Sequence, residues 1–523
     1  MQAAEWILAG AYVMAGTVLL LYGLNCYWQI VFYLRGRRRL DGEMARANLL
    51  AEKLWRAPES LPVVTTQIPL YNEFNVAERI LRSVARIDYP RDRHQIQVLD
   101  DSTDETRFLV DRIAAALKEE GHWIEVVRRE DREAFKAGAL KAGLEGARGE
   151  FVAVFDGDFV PEPDFLRKTL PPLHADPGLA LVQGRWGHLN PTENLLCRAQ
   201  SIGIDGHFGI EQAARSSNDL FLNFNGTAGL WRKEAIFSSG NWEGDTLTED
   251  MDLSYRAQLA GWRLAFRPDA VVPAELPASF SAFKNQQFRW AKGSIQTARK
   301  LAPRIWNSDR RLVARIQAFL HLTHYAIHPF IVSVAAFSLP VLFVLPERID
   351  AFTRVFGTLA ILVGALGPNT LYLASQRVLH PRGWAKRVLL LPALTMIGLG
   401  ISVSNSRGVI EGLLGVRSEF VRTPKKGARN ARRYRAKASW VVGVEIALGA
   451  YCLVALVLYL LHGVWGMSPF LLLYALGYSF VGLRSLGEIL DLGPRRAGPT
   501  RTETAETPDP GGIPGSAPAG SVR

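Results

Sequence analysis

Cysteine is nearly absent: the chain holds three in 523 residues, at Cys26, Cys197 and Cys452. Two of them fall in apolar runs, so neither a disulfide framework nor a Cys-x-x-Cys metal site can be assembled. A catalytic domain in a reducing, cytosolic compartment is the consistent reading. No Gly-x-Gly-x-x-Gly and no Walker P-loop is present, which removes the support for dinucleotide or P-loop binding. Zinc-finger spacing and a basic helix are also missing, so the net charge of +11 has no nucleic-acid module to serve. Beyond Leu492 apolar anchors are few among many Pro, Gly, Thr and Ala residues, and a disordered tail is expected over 493–523.

What is present is strongly segregated, although the mean hydropathy is only +0.05. The length suits a large globular domain plus a membrane region. Residues 6–34 are apolar over enough length to cross a bilayer and are followed at once by Arg35, Arg37, Arg38 and Arg39. A secretory signal would carry its charge before a shorter apolar core. The positive-inside rule places the Arg cluster, and hence the domain over 60–300, in the cytoplasm. Further apolar spans cover 321–345, 352–375, 439–462 and 467–483.

Two intervening loops are basic. The first, 377–387, carries Arg377, Arg382, Lys386 and Arg387; the second, 417–437, carries nine Lys and Arg residues. Both belong on the cytoplasmic side. The stretch 388–416 between them is therefore expected to lie at the interface, or re-enter, rather than cross. The expected order is a membrane helix (1–40), a catalytic domain (60–300), an interface helix (301–320) and a membrane hairpin (321–376). An interface helix with a loop (377–438), a second hairpin (439–487) and the tail follow. This describes a multi-pass protein of the inner or plasma cell membrane, in contact with membrane lipids.

Within 60–300 the hydrophobic pattern alternates between strands and helices. Strands are expected at 62–68, 95–99, 123–127 and 151–155, with helices at 78–87, 106–117 and 135–146. Alternation of this kind implies βαβ units and a mostly parallel sheet. Such sheets bind ligands at the carboxyl ends of their strands.

Four short clusters fall in order along this domain. Asp100-Asp101 closes a strand and, with Ser102 and Thr103, could simply cap the next helix. At that position a carboxylate can also accept hydrogen bonds from a nucleobase or ribose. Asp156-Gly157-Asp158 could be an acidic turn; it also offers two carboxylates that can hold a hard divalent cation bridging a diphosphate. Thr248-Glu249-Asp250 begins an apolar helical stretch, so capping is a plain alternative to Asp250 acting as base toward an acceptor hydroxyl. Gln286-Gln287-Phe288-Arg289-Trp290 has no such plain alternative, because Trp stacks on sugar faces and Arg binds phosphate oxygens. Lys136, on the 135–146 helix, can also reach phosphate.

Taken together these motifs resemble the processive family 2 glycosyltransferases, the cellulose, hyaluronan and mannan synthases, and most closely the plant cellulose-synthase-like A and C proteins. The resemblance runs through Gln67-Ile68-Pro69-Leu70-Tyr71-Asn72-Glu73, Lys136-Ala137-Gly138-Ala139-Leu140-Lys141, Phe224-Asn225-Gly226-Thr227-Ala228-Gly229 and Glu249-Asp250-Met251-Asp252-Leu253. It extends to Ser418-Glu419-Phe420-Val421-Arg422-Thr423-Pro424-Lys425, which looks like a loop that closes over the active site. It implies an α/β GT-A (Rossmann-like) domain inserted between transmembrane helices, and inversion by single displacement. Asp100, Asp101, Lys136, Asp156, Gln286 and Arg289 would bind the nucleotide sugar. Asp156 and Asp158 would hold Mg²⁺ or Mn²⁺, Asp250 with Glu249 would form the catalytic pair, and Gln286 and Trp290 would meet the acceptor and product. Phe420, Thr423 and Lys425 would belong to the gating loop. The plant proteins carry His where Phe288 stands.

The function implied is polymerisation of a β-linked hexan from UDP-glucose or GDP-mannose, with the growing polysaccharide passed through the membrane spans. Transfer of one hexose to a lipid carrier is the competing activity; a non-catalytic membrane scaffold is the competing role. The Gln-x-x-Arg-Trp cluster and the downstream spans favour the polymerase.

Overall fold

The computed structural model describes residues 2–344, 351–416 and 439–490. At its centre is one seven-stranded sheet. Its strands are β1 (Val64–Leu70), β2 (His94–Asp100), β3 (Trp123–Val127), β4 (Phe151–Val154), β5 (Leu179–His188), β6 (Gly229–Arg232) and β7 (Arg263–Ala274). In space they run β3-β2-β1-β4-β6-β5-β7. The β1–β2, β2–β3 and β1–β4 pairs are parallel, joined by the helices Phe74–Ala85, Thr106–Glu119 and Phe135–Gly146, as the alternation predicts. The second half is mixed: β6 is antiparallel to both β4 and β5, and β7 returns parallel to β5.

Strand periodicity divides the core between the two faces of the sheet. Phe151, Ala153 and Phe155 pack on one side with Ile68, Val98 and Leu166. Val152 and Val154 pack on the other with Leu140, Leu144 and Trp231. Two polar cross-strand pairs sit inside the parallel half, each joined by one hydrogen bond. Thr65 Oγ1 donates to Gln95 Oε1 at 2.7 Å and Gln67 Nε2 to Gln97 Oε1 at 3.0 Å.

The antiparallel β6 positions the site. Because it runs against β4, its N-terminal end lies beside the carboxyl end of β4, fixed by Ala228 N to Val154 O at 2.9 Å. The loop 225–228 is thereby brought to the same sheet edge as Asp156 and the ends of β1 and β2.

Among the described residues four helices are long and apolar enough to cross a membrane: Glu5–Leu54, His324–Phe343, Trp440–Leu461 and Trp465–Ile489. The helix Ala351–Leu379 occupies the stretch of the remaining expected span. It crosses the N-terminal helix at glycines; a Cβ on Gly23 would come within 2.6 Å of Gly364 Cα. Residues 384–414 form a pair, Trp384–Gly400 and Ser402–Leu414, bent by 46°. The second member packs on the helix Phe280–Trp306, where a Cβ on Gly408 would lie 2.9 Å from Phe288 O and Lys292 pairs with Glu411 at 2.8 Å. Buried Asp205 accepts from His188 on β5 and from His380 and Arg387 beyond the Ala351–Leu379 helix, at 2.9, 2.9 and 3.1 Å, tying the sheet to that helix. The expected gating-loop residues Phe420, Thr423 and Lys425, and the tail 493–523, lie outside the described residues.

Candidate active site

One cavity opens at the carboxyl edge of β1 and β4, and its wall includes Asp101, Lys136, Asp156, Asp158, Glu249, Asp250, Gln286, Arg289 and Trp290. Every cluster singled out in the catalytic domain thus contributes to a single space, although the residues span almost two hundred positions of chain.

Lys136 is the hub. The Phe135–Gly146 helix delivers it from between β3 and β4, and its Nζ lies 2.5 Å from Asp156 Oδ1, 2.8 Å from Gly226 O and 3.9 Å from Glu249 Oε1. Gly226 has φ +80°, a conformation L side chains rarely adopt, and a Cβ there would lie 3.0 Å from Asp250 Oδ2. Backbone and the Asp250 carboxylate therefore approach each other where glycine is favoured. Thr227 Oγ1 accepts from Asp156 N at 2.9 Å and fixes the turn after β4.

Asp250 begins the helix Glu249–Leu259, and its Oδ1 accepts from Met251 N at 2.8 Å. Burial first, then the neighbouring Glu249 charge, push its pKa up to about 7, while Lys136 and Arg289 pull the other way. A carboxylate with that value can accept a proton near neutral pH and pass it on.

Gln286, Arg289 and Trp290 stand at positions i, i+3 and i+4 of the Phe280–Trp306 helix, hence on one face. That face lines the cavity. Phe288 points elsewhere, toward Arg407 on the neighbouring helix, with the guanidinium carbon 5.2 Å from the ring centre. The departure from the plant proteins at this position therefore lies outside the cavity wall.

The structure places Asp100 apart from the other expected site residues. Its side chain is fully buried, with Oδ1 accepting from Ser102 N at 3.1 Å and Oδ2 from Arg128 at 2.9–3.0 Å. It organises the turn after β2 and is not part of the cavity wall. Asp101 does reach the wall, but is clamped by Arg129 at 2.5 Å.

Asp156 and Asp158 both face the cavity, and a Cβ on the intervening Gly157 would fall 2.0 Å from Glu73 Oε2. Hard carboxylate oxygens at this turn, with a cavity open to a diphosphate, fit a divalent cation of the Mg²⁺ or Mn²⁺ type. The cluster Glu243, Asp245 and Asp252 brings three carboxylate oxygens within 4.8 Å of one another. Lys300 Nζ, however, already lies 2.5, 2.8 and 3.0 Å from its three members, and Arg256 pairs with Glu243 and Asp252 at 3.7 and 2.7 Å.

Several wall residues had no role assigned from sequence. Trp186 stands 6.4 Å from Trp290 between ring centres, and also packs on Phe159 and Phe208. Asn225 is held by Gln212 at 2.5 Å and His207 at 2.9 Å, both from a π-helical segment His207–Gln212. Tyr71 and Arg132 also stand in the wall and stack on each other. The π-segment and the aromatic pair leave no short-range signature, although Tyr71 and Asn225 both sit in motifs carrying the family resemblance.

Residues 62–293 match the model of the family described as "Glycosyltransferase like family 2". Among curated proteins, glucomannan 4-beta-mannosyltransferase 2 of Arabidopsis thaliana is 33% identical over 439 residues, covering 82% of each chain. Glucomannan 4-beta-mannosyltransferase 1 of Cyamopsis tetragonoloba is 34% identical, with 84% of this chain and 85% of the relative aligned. Glucomannan 4-beta-mannosyltransferase 7 of Arabidopsis thaliana is 40% identical over 284 residues. There the match spans about half of each protein, 54% of this chain and 51% of the relative.

Proposed function

The chain belongs to the family 2 glycosyltransferases, and from that premise we propose that it polymerises mannosyl units from GDP-mannose into a β-linked mannan or glucomannan. The observation that carries this is the single cavity in which Lys136 joins Asp156 to Glu249, with Asp250 beside it and Gln286, Arg289 and Trp290 on the wall. The names of its relatives favour mannose over glucose as the transferred sugar.

In this reading Lys136 and Arg289 hold the diphosphate, and Trp290 with Trp186 offers apolar faces to the acceptor sugar. Asp250 removes the proton of the acceptor hydroxyl as its oxygen bonds to the anomeric carbon. The bond from that carbon to the diphosphate oxygen breaks, and GDP leaves with the electron pair. Attack opposite the leaving group converts an α-linked donor to a β-linked product. Asp156 and Asp158 would hold Mg²⁺ or Mn²⁺, which when bound would neutralise charge developing on the diphosphate.

The reading extends to the membrane. Among the described residues four apolar helices flank the catalytic domain, and basic residues at 35–39 and 377–387 favour a cytoplasmic site with export of the polymer through the later spans. The full chain in detergent, given radiolabelled GDP-mannose or UDP-glucose, tests this. Long product released by a β-mannanase, with stoichiometric GDP, is expected. Incorporation of a single sugar into an organic-extractable lipid would instead establish the non-processive activity.

A further inference from the structure

The cationic side chains around the cavity are mostly committed to carboxylates. Arg128 is paired with Asp100, Arg129 with Asp101 and Lys136 with Asp156. Arg132 is different. It lines the cavity, yet has no ion pair among the described residues, and its Nε is buried without a hydrogen-bond partner. Its guanidinium lies flat on Tyr71, the central carbon 3.2 Å from the ring centre, with the Phe135 ring 5.3 Å away. The chain leading to it is unusual: Ala134 and Phe135, directly after Arg132-Glu133, both have positive φ, 55° and 48°. Non-glycine residues in that region carry a conformational cost, and two in succession mark a backbone shaped for a purpose.

A guanidinium stacked on an aromatic ring keeps its N–H groups in its own plane, pointing outward from the stack. A nucleobase entering that plane meets a two-donor fork. Guanine presents two acceptors side by side, O6 and N7, which match such a fork. Uracil offers O4 beside a C–H on the corresponding edge and can satisfy one donor only. The Tyr71 and Phe135 rings beside Arg132 add aromatic surface on which a purine can lie.

We propose that Arg132, held on Tyr71, reads the guanine of the donor nucleotide through O6 and N7 and so selects GDP-sugars over UDP-sugars. The proposal rests on the glycosyltransferase reading above and deepens it to the choice of nucleotide.

The test is a titration of the full chain in detergent with GDP, UDP and 7-deaza-GDP, which lacks only the N7 acceptor. Wild type is expected to bind GDP about 10-fold or more tightly than UDP, with 7-deaza-GDP in between. In Arg132→Ala the GDP, UDP and 7-deaza-GDP affinities should converge to within about 2-fold, while that for UDP stays unchanged. Arg132→Lys, which keeps the charge and the bulk but not the planar fork, should converge likewise. An equal loss of GDP and UDP affinity in either variant would assign Arg132 to the diphosphate and overturn the proposal. So would a 7-deaza penalty that persists without Arg132, or a wild-type preference for UDP. The first two outcomes leave the GDP-mannose reading standing, a wild-type preference for UDP removes it together with the proposal, and failure of the wild type to bind either nucleotide removes the transferase reading itself.

Discussion

Lys284 Nζ donates to both carboxylate oxygens of Glu445, at 3.0 and 2.8 Å, with the glutamate completely buried. The pair joins the helix that carries Gln286, Arg289 and Trp290 to the apolar helix Trp440–Leu461. A second bolt lies one turn earlier. Glu488, from the helix Ser468–Ile489, accepts from Phe280 N at 2.7 Å and Ser281 N at 2.9 Å, the first exposed donors of the same catalytic helix. The wall of the cavity is thus set in register by both of the last two apolar helices.

Breaking that register from one side should be expensive. Lys284→Met leaves Glu445 buried without its cation, and such a loss costs about 3–5 kcal/mol. The double variant Lys284→Met with Glu445→Leu removes both charges and should recover most of it. Thermal unfolding of the full chain in detergent checks this; equal destabilisation in the single and double variants would count against a buried pair. Product length should also shorten in the single variant if these helices carry the polymer away.

Asp250→Asn should abolish turnover while leaving nucleotide binding and folding intact. Loss of a positioned base removes about 10²–10⁴-fold in rate. Single-turnover transfer measured against GDP affinity separates the two effects. An Asp250→Asn protein that retained full sugar incorporation would remove Asp250 from the mechanism.

The pH profile follows from the same residue. With its pKa pushed up to about 7 by burial and by Glu249, Asp250 is a neutral acid below that pH and cannot accept a proton. kcat/KM should therefore rise with pH on an acid limb near 7 and level off above it. Glu249→Gln removes one of the two raising influences, so the limb should move to lower pH. A limb unmoved in that variant would assign it to another group.

Much of this arrangement was legible in the sequence, and the rest was hidden for identifiable reasons. The first four strands are apolar runs with clear helices between them, and they form where expected. The last three do not announce themselves. Strand β6 is four residues long, and β5 pairs with β7 through irregularities at Leu179/Leu181 and Gly184/Arg185. That hidden antiparallel strand is what carries Asn225 and Gly226 to the site. Asp100 and Asp101 looked interchangeable as letters; adjacent side chains at a strand end point opposite ways, so one is buried on Arg128 and the other reaches the cavity. Gln286, Arg289 and Trp290 were readable because Trp suits a sugar face and Arg a phosphate, and the helix then puts all three on one face. Trp186 and Arg132 were not, since their importance comes from ring partners distant or unremarkable in sequence.

Glycine at position 226 offers a sharp test of the close approach at the site. Gly226→Ala places a Cβ 3.0 Å from Asp250 Oδ2 in a backbone at φ +80°. The left-handed conformation costs an alanine roughly 1–2 kcal/mol, and the contact can be relieved only by moving the loop or the base. Moving the loop also displaces Gly226 O from Lys136, 2.8 Å away, and with it the ammonium group held on Asp156. A modest fall in melting temperature with a disproportionate fall in kcat is therefore expected. Asn223→Ala, a buried substitution whose side-chain amide donates only to the neighbouring Phe224 O at 3.2 Å, serves as the comparison. If both variants lost stability and activity in the same proportion, the glycine would be structural and not a requirement of the catalytic geometry.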